Sequence, residues 1–215
     1  FQQHIGLQLY SLRELAKESP IAALDQAKAF GLTEVETAGT GNLTAKQFRA
    51  ALDERGLKAV SAHVQYPALE KDVAGVIEVV KTLGAKYAIV PWIPHQGEFD
   101  AATVKRAAEN FNQWGAAFRA EGIKLGYHPH GYEFVPGDKP GTTRFDEFVA
   151  ATDPENVCLQ LDVYWAYVGG ADPVQLLEKY GSRWVSLHVK DVRKGVERAP
   201  GKSGTKSEDK VVVGT

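Results

Sequence analysis

The stretch Val157-Cys158-Leu159-Gln160-Leu161-Asp162-Val163 is apolar except for Gln160 and Asp162, which stand two residues apart. Successive side chains of a β-strand point to opposite faces, so both polar groups fall on one face of an otherwise aliphatic strand. The alternation returns in Trp184-Val185-Ser186-Leu187-His188-Val189-Lys190 and in Ser61-Ala62-His63-Val64-Gln65. An open doubly wound sheet buries both faces under helices and reads as near-continuous aliphatics. A strand face carrying Ser, Gln, His and Asp suits the inner face of a closed barrel that opens into a pocket.

Outward from these strands the chain repeats one unit. Apolar runs of strand length fall at 5–10, 32–38, 58–64, 87–93, 123–130, 157–163 and 184–189, and segments of helical period at 21–30, 45–55, 73–83 and 101–121 lie between them. Gly31, Gly56, Gly84, Gly122 and Gly181 each precede the next strand, where glycine closes a helix in the left-handed conformation. Alternating strand and helix predicts right-handed βα units and a parallel sheet, an α/β chain of the (β/α)8 TIM-barrel class. Only seven strands are found. The polar stretch 194–210 reads as a mobile loop, and Val211-Val212-Val213-Gly214-Thr215 is too short for a confident eighth strand. Since such barrels run to about 250 residues, the last βα unit is expected to be missing from this chain. No Gly-rich phosphate loop follows the first strand, where Tyr10-Ser11-Leu12-Arg13 stands instead, so a nucleotide-binding reading loses its support.

The 215 residues, 44% of them hydrophobic, suffice for one domain with a sizeable core. A net charge of -2 with the signs interspersed offers no footprint for nucleic acid or an anionic membrane. No apolar run reaches the roughly 18 residues of a membrane span. The single Cys158 lies in an apolar run and reads as a small buried hydrophobe. The start Phe1-Gln2-Gln3 lacks methionine and would suit a mature end after signal cleavage, which leaves cytoplasm and periplasm both open.

A barrel gathers its strand ends around one axis, and its active site lies at their carboxyl-terminal face. The residues there are Tyr10, Glu36, His63, Trp92, His128 with His130, Asp162, and His188 with Lys190. Carboxylate and imidazole donors on neighbouring strands form a mixed oxygen and nitrogen set suited to one divalent ion, Mn²⁺, Co²⁺ or Zn²⁺, with Mg²⁺ admissible. A buried acid is costly unless paired or metal-bound. Structural readings stand beside these: His63 as a satisfied strand-end histidine, His4 on the surface, His95 in a solvated loop, Lys190 paired with Asp191, and the aromatics as packing.

Three segments carry a family resemblance: Ile5-Gly6-Leu7-Gln8-Leu9-Tyr10-Ser11-Leu12-Arg13, His128-Pro129-His130-Gly131-Tyr132-Glu133-Phe134, and His188-Val189-Lys190-Asp191-Val192-Arg193-Lys194-Gly195. In this order they resemble the xylose isomerase-like barrel superfamily, the sugar phosphate isomerase/epimerase group that also holds endonuclease IV-like proteins. The resemblance covers essentially the whole chain, read as one such domain over residues 1–215 that is truncated at its C-terminus. It implies one divalent metal held by Glu133, Asp162 and His188, with a fourth acidic ligand on an eighth strand that this chain does not carry. Many relatives have Glu where His128 stands, so His128 is the alternative to Glu133. The implied activity is isomerisation or epimerisation of a sugar or keto-sugar, by proton transfer through an enediolate, or β-elimination from it. His130, His128 and Lys190, with Glu133, are the implied proton carriers, and Tyr10, Glu36, His63, Trp92 and Trp165 the sugar contacts. A small-molecule sugar is the expected partner, with no nucleic acid and no membrane, and a homo-oligomer is compatible. Two alternatives are kept: a non-catalytic sugar-binding barrel, and an endonuclease IV-like phosphodiesterase with a multi-zinc cluster.

Overall fold

The computed structural model describes residues 5–215. His4, read as a surface histidine, and the Phe1-Gln2-Gln3 start lie outside them. All seven strands expected from the sequence are present: β1 (Gly6–Gln8), β2 (Glu34–Thr37), β3 (Lys58–His63), β4 (Tyr87–Val90), β5 (Lys124–Tyr127), β6 (Val157–Asp162) and β7 (Trp184–His188). They follow one another in sequence order within one sheet. The contacts divide the chain into two compact units, residues 1–89 with 117–124 and residues 90–116 with 125–215.

In the first unit β1, β2, β3 and β4 pair in parallel, with Gln8 opposite Glu36 and Glu36 opposite Ser61. The helices are α1 (Arg13–Glu18), α2 (Pro20–Ala29), α3 (Ala45–Arg55), α4 (Tyr66–Lys71) and α5 (Val73–Leu83). Thr44 and Gln47 form a capping box at the start of α3, and Asp72 caps α5. These reciprocal bonds satisfy N–H groups that a helix start leaves without partners. Gly56 and Gly84 close α3 and α5 at φ of 67° and 77°, as the sequence predicted. Leu24, Leu52 and Val80 from three of these helices are fully buried, as are Val35 and Ile89 from the strands.

In the second unit β5, β6 and β7 pair in parallel, with Gln160 opposite Ser186 and Asp162 opposite His188. The remaining helices are α6 (Ala101–Ala120), α7 (Arg144–Ala151), α8 (Val163–Val168) and α9 (Pro173–Tyr180). Phe111, Tyr127 and Phe148 pack at centroid distances of 5.0 to 5.6 Å in the core. Each such side chain contributes about 1.5–3 kcal/mol by leaving water. Cys158 is buried, as expected, with Sγ 3.3 Å from the Leu125 carbonyl.

The tail departs from the expected loose loop. Asp191–Val192 (β8) and Lys210–Val211 (β9) pair antiparallel, so the closing valines add no parallel strand. The segment between them is a strap fastened to the end of α8. Arg198 reaches the Tyr167 and Ala171 carbonyls at 3.1 and 2.8 Å and lies 4.2 Å over the Tyr167 ring, Tyr164 bonds Thr205, and Arg193 pairs with Asp209 at 2.6 Å. Periodicity cannot reveal such a strap, because its anchors are carbonyls of another element.

Candidate functional site

The carboxyl-terminal ends of β1, β2 and β3 carry a polar ladder in the first unit. Glu36 is buried; it accepts from Gln8 Nε2 at 2.6 Å and from the Ser61 hydroxyl, and His63 Nε2 lies 3.0 Å from it. A buried carboxylate demands such donors. Tyr10, just past β1, is exposed and lines a cavity of about 340 Å³ with Arg13, Lys17 and Phe48.

A second cluster ends β5, β6 and β7. Asp162 has no solvent exposure. Its Oδ1 accepts from the backbone N–H groups of Tyr164 and Trp165, both at 3.1 Å, capping α8. Its Oδ2 lies 2.5 Å from Lys190 Nζ, 3.5 Å from His128 Nε2 and 3.7 Å from His188 Nδ1. Burial pushes the Asp162 carboxyl up, but His188, His128 and Lys190 outweigh it and hold the group well below the usual carboxylate range. Lys190 is thus paired with Asp162 rather than with its neighbour Asp191, whose carboxylate accepts from the Val192 and Gly214 N–H groups.

The rings of His128 and His188 are tilted at 57° with centroids 4.6 Å apart, and a ring nitrogen of each lies within 4.8 Å of the other's. His128 Nδ1 is 2.9 Å from Gln160 Oε1, and Gln160 donates in turn to the Ser186 hydroxyl at 2.8 Å. A hydrogen bond at one ring nitrogen fixes the tautomer and frees the other to act as a ligand. Ligand atoms sharing one ion at about 2.0–2.2 Å stand roughly 3–3.5 Å apart. The separations of Asp162 Oδ2 from the two histidines are therefore close to those a divalent ion requires, and the residues fit such a group.

Glu133 lies elsewhere in its surroundings. It has no exposure and sits in the one-turn 3₁₀ segment Tyr132–Phe134. Its oxygens accept from Tyr127 Oη, from the His130 N–H at 3.0 Å and from the Gly131 N–H at 2.8 Å. Tyr127 also bonds Tyr132 Oη at 2.9 Å, which accepts from the Ile93 N–H at 3.1 Å. Of the two residues weighed for the fifth-strand ligand, His128 is the one beside Asp162 and His188, while Glu133 is engaged inside its own loop.

Burial raises the Glu133 carboxyl to about 7, against the hydrogen bonds from Tyr127 and the loop N–H groups. The folded chain thus holds this proton above the ordinary value of 4.5. Stability from this group is complete below pH 4.5 and declines as pH rises through 7, by about 3 kcal/mol in all. Glu133→Gln is expected to flatten that decline in urea titrations run from pH 4.5 to 8. Parallel curves for the two proteins would contradict the assignment.

Around the loop stands an aromatic wall. Trp92, 42% exposed, lies 4.5 Å from Tyr132 and 5.8 Å from His130, and His130 lies 5.7 Å from Trp165. His95, expected in a solvated loop, instead packs 5.2 Å from Trp92 and 4.4 Å from Tyr132, with Nδ1 on the Ile93 carbonyl. Lys210 of the strap lies 5.5 Å over Trp165. Gln8, Tyr127 and Tyr132 were not singled out from the sequence. Strand parity, which marked Gln160, could also have found Gln8, whereas the tyrosines look like ordinary core.

Gly131 makes the loop's path feasible at φ 106°, where an added Cβ would meet the Lys202 carbonyl oxygen at 2.4 Å and Gly169 Cα at 3.3 Å. Gly131→Ala combines backbone strain with a clash, costing at least about 2 kcal/mol. A fall in Tm of roughly 4–8 °C is expected for a chain of this size. An unchanged Tm would refute the close approach of the strap.

Comparison with known proteins agrees with this architecture. Over 213 residues the chain is 26% identical to an inosose dehydratase of Clostridium beijerinckii, covering 89% of this chain and 70% of that protein. It is 30% identical to an inosose dehydratase of Geobacillus kaustophilus, over 69% of this chain and 54% of that one. The crystal structure of a sugar phosphate isomerase/epimerase from Parabacteroides distasonis superposes with a TM-score of 0.76 at 29% identity, covering 87% of this chain and 74% of that chain. The fold is a TIM barrel, seven of whose parallel strands this chain supplies. With residues 24–205 matching the model of the xylose isomerase-like TIM barrel, the chain belongs to that family.

Proposed function

We propose that this protein is a divalent-metal-dependent enzyme that removes a proton beside the carbonyl of a keto-sugar. The observation that carries the reading is the meeting of Asp162 Oδ2, His128 and His188 at the ends of three adjacent strands. These three residues would hold the ion, which when bound polarises a carbonyl and acidifies the neighbouring C–H. Glu133, implied as a ligand by the resemblance, is left to its loop in this reading. Manganese, cobalt and zinc all suit the donor set.

His130 is the proton carrier in this reading. Its ring lies 5.8 Å from Trp92, 5.7 Å from Trp165 and 4.7 Å from His128, and in this reading it takes the carbon-bound hydrogen of a sugar seated on the aromatics. A general base must come within hydrogen-bond reach of the proton it takes. Lys190 balances Asp162 and is, in this reading, the acid that protonates a leaving hydroxyl. Trp92 and Trp165 offer apolar faces to the sugar's C–H groups.

After proton removal, return to the other carbon isomerises the sugar, return to the other face epimerises it, and expulsion of a β-hydroxyl dehydrates it. The inosose dehydratases among the relatives favour dehydration. Incubation with an inosose and Mn²⁺ should therefore yield a product lighter by one water. Conversion without a change of mass would favour isomerisation or epimerisation, and no conversion of any keto-sugar by metal-loaded protein would sink the proposal.

A further inference from the structure

We infer that Glu133 is a positioning residue that fixes the spacing between His130 and Trp92; its catalytic consequence rests on the function proposed above. The loop after β5 and the loop after β4 are each held by one end of a single hydrogen-bonded chain. At one end Glu133 takes the N–H groups of His130 and Gly131. At the other, the Ile93 N–H is taken by Tyr132 Oη, one residue beyond Trp92. Tyr127 joins the two ends.

With Tyr127 donating to Glu133, its hydroxyl accepts from Tyr132, which in turn accepts from the Ile93 N–H. Hydrogen bonds in a buried chain reinforce one another. The Tyr132 ring is also the surface on which Trp92 and His95 rest, at 4.5 and 4.4 Å. Backbone and ring therefore place Trp92, while the two N–H bonds to Glu133 hold the backbone that carries His130. Gly131 leaves the loop no stiffness of its own at φ 106°, so the carboxylate supplies what the backbone lacks.

This role differs from metal ligation in what each substitution spares. Glu133→Ala removes the acceptor for the His130 and Gly131 N–H groups. Glu133→Gln keeps an acceptor oxygen for them and turns an amide toward Tyr127. Tyr127→Phe spares the loop N–H bonds and cuts only the link to Tyr132.

The test uses the whole chain and three readouts: amide hydrogen exchange at His130, Gly131 and Ile93, Mn²⁺ binding, and steady-state kinetics on an inosose. Glu133→Ala should expose the His130 and Gly131 amides to exchange at least about tenfold faster and lower kcat by roughly 10²-fold, as a displaced catalytic group does, with Mn²⁺ retained. Glu133→Gln should restore both to within a few-fold. Tyr127→Phe should leave the His130 amide protected, loosen Ile93 and raise KM more than it lowers kcat; it also decides the matter if Glu133→Ala does not fold. Unchanged exchange in Glu133→Ala, or loss of Mn²⁺ from both Glu133 variants with the amides still protected, would overturn the inference. If the unaltered protein converts neither an inosose nor any other keto-sugar, the functional proposal is what fails, and the exchange data still decide the positioning role.

Discussion

Asp162→Ala is expected to strip the protein of its divalent ion and its turnover together, and to destabilise the fold as well. The carboxylate is fully buried and divides its work between its two oxygens. Oδ1 caps α8 through Tyr164 and Trp165, and loss of such a cap costs about 1 kcal/mol. Oδ2 neutralises Lys190 and faces both histidines. Removing one partner of a fully buried pair costs about 3–5 kcal/mol. Lys190 is 42% exposed and can turn to water, so the expected total is lower, about 2–4 kcal/mol. His188→Ala removes a ligand without touching the helix cap, so it should lose metal and activity with a smaller change in stability. Elemental analysis and thermal denaturation of both variants separate these effects, and undiminished metal in both would refute the site.

Much of the fold could be read directly from residue order. Helices α3 and α5 match their periodic segments at both ends, because Thr44 and Asp72 cap them and Gly56 and Gly84 stop them. The short helices α1, α4, α7 and α8 escape, since six to eight residues give barely two turns of pattern, while α9 was marked only by the Gly181 that closes it. Helix α8 is the instructive case. Val163-Tyr164-Trp165-Ala166-Tyr167-Val168 has the composition of a strand and would prolong β6. It turns helical because the Asp162 carboxylate captures two N–H groups at that point.

The site was legible in part for the same kind of reason. Parity along β6 and β7 put Asp162 and His188 on the polar faces of their strands, and the register sets them opposite each other. Parity put Lys190 on the face of His188 but did not name its partner, since the neighbouring Asp191, the obvious one in sequence, accepts from the Gly214 N–H instead. Nor could it locate Glu133, because the direction of the loop after β5 depends on the φ of Gly131 and on a tyrosine pair from elsewhere in the fold. Residues on strands were placed by a period of two; residues on loops were not.

The central claim is that this cluster moves a proton between solvent and a carbon beside a carbonyl. Incubating the metal-loaded protein with an inosose in heavy water, then locating deuterium by NMR in recovered substrate and product, tests it most directly. A solvent-exchangeable base such as His130 predicts deuterium on the carbon adjacent to the carbonyl, at a rate that falls in His130→Ala. Product formed with no solvent deuterium at that carbon would mean that hydrogen passes directly between carbons, and would contradict the account.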